Sequence, residues 1–346
     1  MESLVNFWRG KRVLLTGHTG FKGTWMALVL QRLGAEVIGI ALEPEGNPNL
    51  YNLISPELKI KSHILDIRDR KKLKMCVHQH SPEIVIHMAA QALVRRSYEM
   101  PVDTFETNIM GTIYLLEALA EKNPTTLIIT SDKVYRNDES GRNFKEPDAL
   151  GGDDPYSASK AACEIAVNSW AKSFGLKIAT ARGGNVIGGG DFSLDRLLPD
   201  AFRAYAKNQP LILRNPSATR PWQHVLDIVF GYLKYAELLH NDYKNAPKSL
   251  NFGPDGKNLT VVETLEIFSA ALEKKILIEI SLDNKKQEKI RLELDVSLAK
   301  KLGFENSISQ KDAVHLAGIW YKKFHAGEPP LQLVMNEIKN YLDSHA

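Results

Sequence analysis

Through the first half of the chain, short runs almost free of charge alternate with longer segments of helical period. The runs are RVLL (12–15), EVIGIAL (36–42), HILDI (63–67), EIVIHMAA (83–90), TLIIT (126–130) and KIATAR (177–182). Each has the length and the Val/Ile/Leu content of a strand buried on both faces. Between them, segments such as GTWMALVLQRLG and VDTFETNIMGTIYLLEALAEK repeat apolar residues at helical spacing. Strand–helix alternation of this kind predicts βαβ units, hence an α/β fold with a parallel sheet between helical layers. From about Asn185 the rhythm changes. NVIGGGDFSLDRLLPD is rich in glycine and then acidic, and RNPSATRPWQHV is punctuated by Pro and Arg; both are loop signals. The rest mixes short helices and strands, which predicts a smaller second unit, interleaved with the first and completing a cleft.

Composition narrows this only a little. With 44% hydrophobic and 25% charged residues in 346, the chain is of ordinary globular make-up. Forty-four basic residues face forty-one acidic ones, for a net charge of +3, so no strong field draws in nucleic acid or a membrane surface. The clusters RDRKKLK and DNKKQEK are short and mixed with acids, the pattern of a solvated helix face or loop. Cys76 and Cys163 lie far apart, with no metal-ligand spacing and no disulfide framework, so no metal site is expected. Reduced thiols suit a cytoplasmic protein. The segment MESLVNFWRGKRVLL has no signal-peptide pattern. No apolar run approaches the roughly 20 residues that span a bilayer. A soluble, cytoplasmic protein is expected.

Three stretches carry chemistry. In LLTGHTGFKGTW, Gly17, Gly20 and Gly23 fall between the first strand and the first helix. A tight turn, close approach of a pyrophosphate and close helix–strand packing each need a residue without Cβ there. The helix N-terminus then offers free N–H groups to phosphate. A dinucleotide site is expected, formed by residues 1–184 and about 225–254, with 185–224 and 255–346 facing it. The second strand closes on Ala41 or Leu42, with Glu43 only afterwards and no nearby arginine, so these residues leave NAD and NADP both open. Asp66, after the third strand, is placed to meet an adenine amino group.

In DPYSASKAACEIAVNSW, Pro155 suits a first helical turn. Tyr156 and Lys160, four apart, share a face. An ammonium beside a phenol favours the phenolate, which makes Tyr156 a usable acid/base for a substrate alcohol. Of eleven tyrosines, only this one begins a Tyr-x-x-x-Lys. In TSDKVY, Ser131, Asp132 and Lys133 follow the fifth strand, where parallel sheets bind ligands. They form either a turn with two solvated charges or a proton-transfer site.

Together the glycine turn, HMAAQ, ETNIMGT, TSDKVY and YSASK resemble the nucleotide-sugar branch of the extended short-chain dehydrogenases, which includes sugar 4-epimerases and 4,6-dehydratases. FWRGKRVLLTGHTGFKG, GGDDPYSASK, GNVIGGGD and RPWQHV narrow the resemblance to the dehydratases that act on CDP-glucose, over nearly the whole chain. The resemblance implies a modified Rossmann, doubly wound parallel sheet holding NAD, and a smaller mixed α/β domain holding the nucleotide sugar. It implies a homodimer or homotetramer. It implies conversion of CDP-D-glucose to CDP-4-keto-6-deoxy-D-glucose, an early step toward the dideoxyhexoses of surface polysaccharides such as lipopolysaccharide O-antigen.

It also implies roles for residues. Gly17, Gly20, Phe21, Lys22, Gly23, Asp66, Ile67, Ala89, Ala90 and Asn108 would hold the cofactor, with Tyr156 and Lys160. Gln91, Val94, Asn185, Arg196, Arg220 and His224 would hold the nucleotide sugar. Ser131 would bond O4, Asp132 would be the acid at C6 and Lys133 the base at C5; the dTDP-glucose relatives carry Asp–Glu there. A lysine base must be neutral, although its reference pKa is about 10.4. Four other residues have structural readings: His87 within its strand, Trp222 in packing, and Arg95 and Arg96 at the surface. Competing functions are a 4-epimerase, a dehydratase of another nucleotide sugar such as the NADP-dependent GDP-mannose enzyme, and a non-catalytic dinucleotide sensor.

Overall fold

A computed structural model describes residues 2–137, 141–213, 215–254, 256–280 and 292–345. The DNKKQEK cluster lies outside the described residues. The six apolar runs become Arg12–Thr16 (β1), Glu36–Ala41 (β2), Lys61–Ile64 (β3), Ile84–His87 (β4), Thr125–Ile129 (β5) and Ile178–Gly183 (β6). Short strands follow at Asn185–Ile187 (β7), Leu211–Leu213 (β8), Thr219–Arg220 (β9), Trp222–His224 (β10), Ser249–Phe252 (β11), Leu259–Thr260 (β12) and Ile278–Ile280 (β13).

Two boundaries depart from the hydrophobic pattern. β3 covers 61–64 rather than 63–67, because Asp66 turns the chain by accepting the Arg68 N–H at 2.8 Å. β4 stops at His87 rather than Ala90, because the N–H groups of Met88 and Ala89 donate to Thr16 Oγ1 at 3.1 and 3.0 Å.

Seven strands form one parallel sheet in the order β11-β6-β5-β4-β1-β2-β3. β11 is not among the runs that the sequence singles out; it extends the sheet beyond β6. The pairs β7–β10, β9–β12 and β8–β13 make three small ribbons. Alternate residues of each strand feed opposite cores, as the two-residue period requires. Val13 and Leu15 pack with the helices Phe21–Arg32 and Val225–Asn241, whereas Leu14 packs with Leu73, Val77 and Leu115 on the other face. Helices therefore cover both faces of a doubly wound sheet. Strand order reverses between β1 and β4, and ligands of such sheets bind in the crevice at that point.

Beneath this crevice lies a buried ion pair. Arg182 on β6 donates through Nε to both Glu164 oxygens, at 2.9 and 3.0 Å. Glu164 also accepts Thr130 Oγ1 at 2.6 Å, and the Arg182 guanidinium bonds the Tyr135 hydroxyl at 2.7 Å. Tyr135 in turn donates to Asn251 of β11 at 2.6 Å. The network ties β5, β6, β11 and the helix Pro155–Phe174 together immediately below Ser131. With Glu164 fully buried and Arg182 2% exposed, removing one partner strands the other charge. Glu164→Ala is expected to cost about 3–5 kcal/mol of stability. Urea unfolding measures this, and a loss below about 1 kcal/mol, the range of an exposed pair, would contradict the account.

Candidate active site

The glycine turn is tightly packed. Gly17 has φ +79°, and a Cβ on it would lie 2.8 Å from the Ala89 nitrogen. A Cβ on Gly23 would lie 2.0 Å from the Gly17 carbonyl oxygen, so that glycine lets the helix pack onto the turn. Gly20 is different: a Cβ there would meet only the Gly17 oxygen, at an ordinary 3.5 Å. The fold leaves room for a Cβ at Gly20, so this glycine keeps the backbone open to close approach. Gly20 caps the helix Phe21–Arg32 without a side-chain hydrogen bond, so no side chain competes with an anion at this N-terminus.

A π-helical turn at Glu106–Gly111 presents Asn108. Its side chain accepts the Gln91 N–H at 2.9 Å and donates to the Gln91 carbonyl at 3.1 Å. That fixes the segment Ala89, Ala90, Gln91 beside the glycine turn. The Gln91 side chain is itself spent on Leu93 and Thr104. Asp66 holds Arg68 in a fork, and Arg68 also reaches Asp103 at 2.8 Å. Burial pushes the Asp66 carboxyl up, but the Arg68 bonds outweigh it and hold it below the usual carboxylate value. Ile67 is buried, and only a glycine at 111 leaves room for it.

At the end of β5 the chain enters a 3-10 turn, Asp132–Val134. Ser131 caps the turn by accepting the Lys133 N–H at 3.2 Å and donates its hydroxyl to Asp132 Oδ1 at 2.9 Å. Lys133 Nζ donates to the same oxygen at 3.3 Å. Asp132 is 3% exposed, while 27% of the Lys133 side chain is open. These are not two solvated turn charges. The acid is buried, with the lysine laid over it.

The helix Pro155–Phe174 packs against this turn. Asp154 starts it by accepting the Ser157 N–H at 2.9 Å, Pro155 occupies its first turn and Gly175 ends it with φ +64°. Tyr156 and Lys160 are both buried, and Lys160 Nζ donates to the Ile129 carbonyl at the end of β5, at 3.2 Å. Ser131, Asp132, Lys133, Tyr156 and Lys160 thus converge on one strand end.

The charges around Lys22 show what else reaches this place. Burial lowers its ammonium to about 8, helped by Arg196 and Lys160 and opposed by Asp132 and Asp191. The glycine turn, the β5 end and the Arg196 loop are therefore close neighbours. Arg196 lies 3.8 Å from Asp191, and its Nε is buried with no partner among the described residues. Arg220, on β9, donates to the Thr219 carbonyl at 2.9 Å. Asn185 begins β7, and Val94 begins the helix Val94–Glu99. Arg95 bonds Asp195 at 2.8 Å, which draws the Val94 segment toward the Arg196 loop; Arg96 pairs with Glu45. Phosphate near Lys22 would restore its affinity for a proton. Dinucleotide binding at pH 8 is expected to take up a fraction of a proton, read by calorimetry in buffers of different ionisation enthalpy. Proton release would contradict this.

Two expectations need correction. His224 does not face a nucleotide. It is fully buried, its Nδ1 accepts the Leu226 N–H at 3.3 Å as the cap of the helix Val225–Asn241, and its Nε2 faces Glu337 at 3.6 Å. Nor is the chain without a metal-ligand grouping: the fold gathers His63, Cys76 and His80. Trp222 packs, its Nε1 bonded to Thr264 at 2.8 Å, and His87 sits between Thr16 and Thr112 at 2.7 and 3.0 Å.

The sequence reading misses Tyr232. It is fully buried, its hydroxyl has no partner among the described residues, and a Cβ on Gly183 would lie 2.4 Å from it. Burial, then the charges of Tyr156 and Asp132, hold its phenol far above the ordinary value. Only the glycine that makes room for it hints at this place, and only once β6 and the helix are side by side.

Residues 13–253 match the NAD dependent epimerase/dehydratase family, and the chain belongs to it. Within the family, the chain is 39% identical to CDP-glucose 4,6-dehydratase of Salmonella typhimurium, over 98% of each chain. Among solved structures, an epimerase of Methanothermobacter thermautotrophicus superposes with a TM-score of 0.81 at 23% identity, covering 94% of this chain and 97% of the other. The dTDP-glucose 4,6-dehydratase of Bacillus anthracis, in complex with NAD, gives 0.76 at 20% identity, covering 91% and 97%. These two share the fold.

Proposed function

We propose that the protein is a CDP-D-glucose 4,6-dehydratase that produces CDP-4-keto-6-deoxy-D-glucose. The reading rests above all on the buried Asp132 with Lys133 over it, beside Tyr156 and Lys160. A 4-epimerase needs only an acid/base at O4, whereas a dehydratase needs a second acid–base pair for C5 and C6. Full-length likeness to the Salmonella enzyme points to the same substrate.

NAD is the cofactor, and when bound it would supply the acceptor for the C4 hydride and the hydride returned at C6. Gly17, Gly20, Phe21, Lys22 and Gly23 would hold its pyrophosphate at the helix start. Asp66 and Ile67 would meet the adenine, and Ala89, Ala90 and Asn108 would shape the wall between. Tyr156 takes the proton of the 4-hydroxyl. Lys160, anchored on the Ile129 carbonyl, keeps a positive charge by that phenol. Ser131 bonds O4. The C4 ketone acidifies the C5 proton, and Lys133 removes it while Asp132 protonates the C6 hydroxyl, which leaves as water.

The lysine difficulty has a local answer. The resting pair of ammonium and carboxylate, and the working pair of amine and carboxylic acid, hold the same number of protons. One transfer along the 3.3 Å contact interconverts them. Lys133 then returns its proton to C5, and the proton taken up at Tyr156 resets Asp132.

Arg196 and Arg220 bind the diphosphate, since guanidinium forks suit phosphate oxygens. The orphaned Arg196 Nε supports this. Gln91, Val94 and Asn185 border the sugar. Residues 1–184 and about 225–254 form the cofactor domain, and 185–224 with 255–346 the sugar-nucleotide domain. No helix among the described residues is long and apolar enough to cross a membrane. A cytoplasmic location is part of the proposal, supported by two unpaired cysteines. So is a homodimer, supported by exposed Val102, Phe105, Met110 and Ile165 on adjoining helices. Sedimentation that finds a monomer would overturn the dimer.

The test is incubation with NAD and, in parallel, CDP-, UDP-, dTDP- and GDP-glucose. A 4-keto-6-deoxy sugar is expected with CDP-glucose. Activity with another nucleotide alone would overturn the substrate and keep the mechanism.

A further inference from the structure

The chain carries a second cluster of reactive side chains, far from the crevice. His63 is on β3, the edge strand of the main sheet, four strands from β5 and so about 19 Å away across the sheet. Cys76 and His80 sit one turn apart on the helix Arg70–His80, which covers that end of the sheet. Their ligand atoms all lie within 4.8 Å of one another. His63 Nε2 and His80 Nε2 face each other at 2.8 Å. We propose that His63, Cys76 and His80 bind a divalent cation of the zinc class.

The donor set is the argument. Two imidazole nitrogens and one thiolate are borderline-soft ligands that suit zinc and exclude magnesium and calcium. Three protein ligands leave the fourth tetrahedral position to water, and the half-buried histidines leave that side open while Cys76 is buried against the core. Zinc bonds of about 2.0–2.1 Å to nitrogen and about 2.3 Å to sulfur put tetrahedral ligand atoms roughly 3.3–3.6 Å apart. The imidazoles need part by only about half an ångström, within the freedom of side chains at an edge.

Without metal, one Nε2 donates to the other. On binding, both Nε2 lone pairs turn to the cation, the donor's proton is carried on its Nδ1 instead, and the Cys76 thiol releases its proton to solvent. The bond formed clips the edge strand to the helix over it. The site takes no part in the reaction at Tyr156, so its function is to hold the edge of the cofactor domain.

Zinc and cobalt(II) are the probes, added to chelator-stripped full-length protein. One equivalent of zinc per chain is expected, with a rise in melting temperature, and cobalt should give thiolate charge-transfer absorption. All three signals should vanish in Cys76→Ser and in His80→Gln, and persist in Cys163→Ser. His80 is a half-buried residue at the end of its helix, so His80→Gln keeps the test valid if Cys76→Ser misfolds. Equal zinc uptake by wild type and His80→Gln, or a cobalt spectrum without a thiolate band, overturns the proposal.

Discussion

Replacing Lys133 by methionine should lower dehydratase turnover by about 10²–10⁴-fold, the usual worth of a positioned proton-transfer group. Binding of CDP-glucose should change little, because the substitution leaves the arginines proposed for the diphosphate, Arg196 and Arg220, in place. Methionine keeps the length of the stem and removes the amine. The C5 proton then stays in place, although Tyr156 still serves O4. Rapid quenching should find the 4-keto sugar with its C6 hydroxyl retained, and C5 should not exchange with solvent deuterium. Lys133→Arg sharpens the result. If Lys133 serves only as a cation for Asp132, arginine restores activity; if it is the base, arginine does not. Full activity of Lys133→Met would remove Lys133 from the mechanism.

Tyr156→Phe should abolish turnover at least as thoroughly, and at an earlier step. Without the hydroxyl nothing accepts the O4 proton, so neither the 4-keto sugar nor C5 exchange should appear. The ring remains, and the backbone N–H bond to Ser97 at 3.2 Å does not involve the hydroxyl, so the fold should be kept. The two variants thus separate oxidation from elimination: Lys133→Met stops after C4 and Tyr156→Phe before it. If Tyr156→Phe still forms the 4-keto sugar, another group accepts the O4 proton.

What the sequence revealed, it revealed through local pattern. Gly17, Gly20 and Gly23 follow a strand directly, Tyr156 and Lys160 are a helical turn apart, and Ser131–Lys133 are contiguous. In each case the neighbours in space are neighbours in the chain. Whereas the edge strand β3 is largely exposed, five of the strands, β1, β2, β4, β5 and β6, were legible because burial on both faces leaves little room for charge. Strand ends were less so: β3 and β4 close where Asp66 and Thr16 take over the backbone hydrogen bonds, and an apolar run carries no record of that.

The rest depends on which elements the topology sets side by side. Glu164 and Arg182 look like stray charges in an apolar helix and strand until they meet. A charge at a position that should be buried was nonetheless a signal that a partner exists. His63, Cys76 and His80 escaped because two of the ligands lie on one helix and the third on the preceding strand. His224 was misplaced because its burial depends on Glu337, which is more than a hundred residues further along the chain.

The most direct test of the account follows one hydrogen. CDP-glucose labelled with deuterium at C4 is incubated with the protein and NAD, and the product is examined by NMR. The account predicts CDP-4-keto-6-deoxyglucose with the deuterium at C6. A C4 epimer with deuterium still at C4, or no product at all, would contradict it.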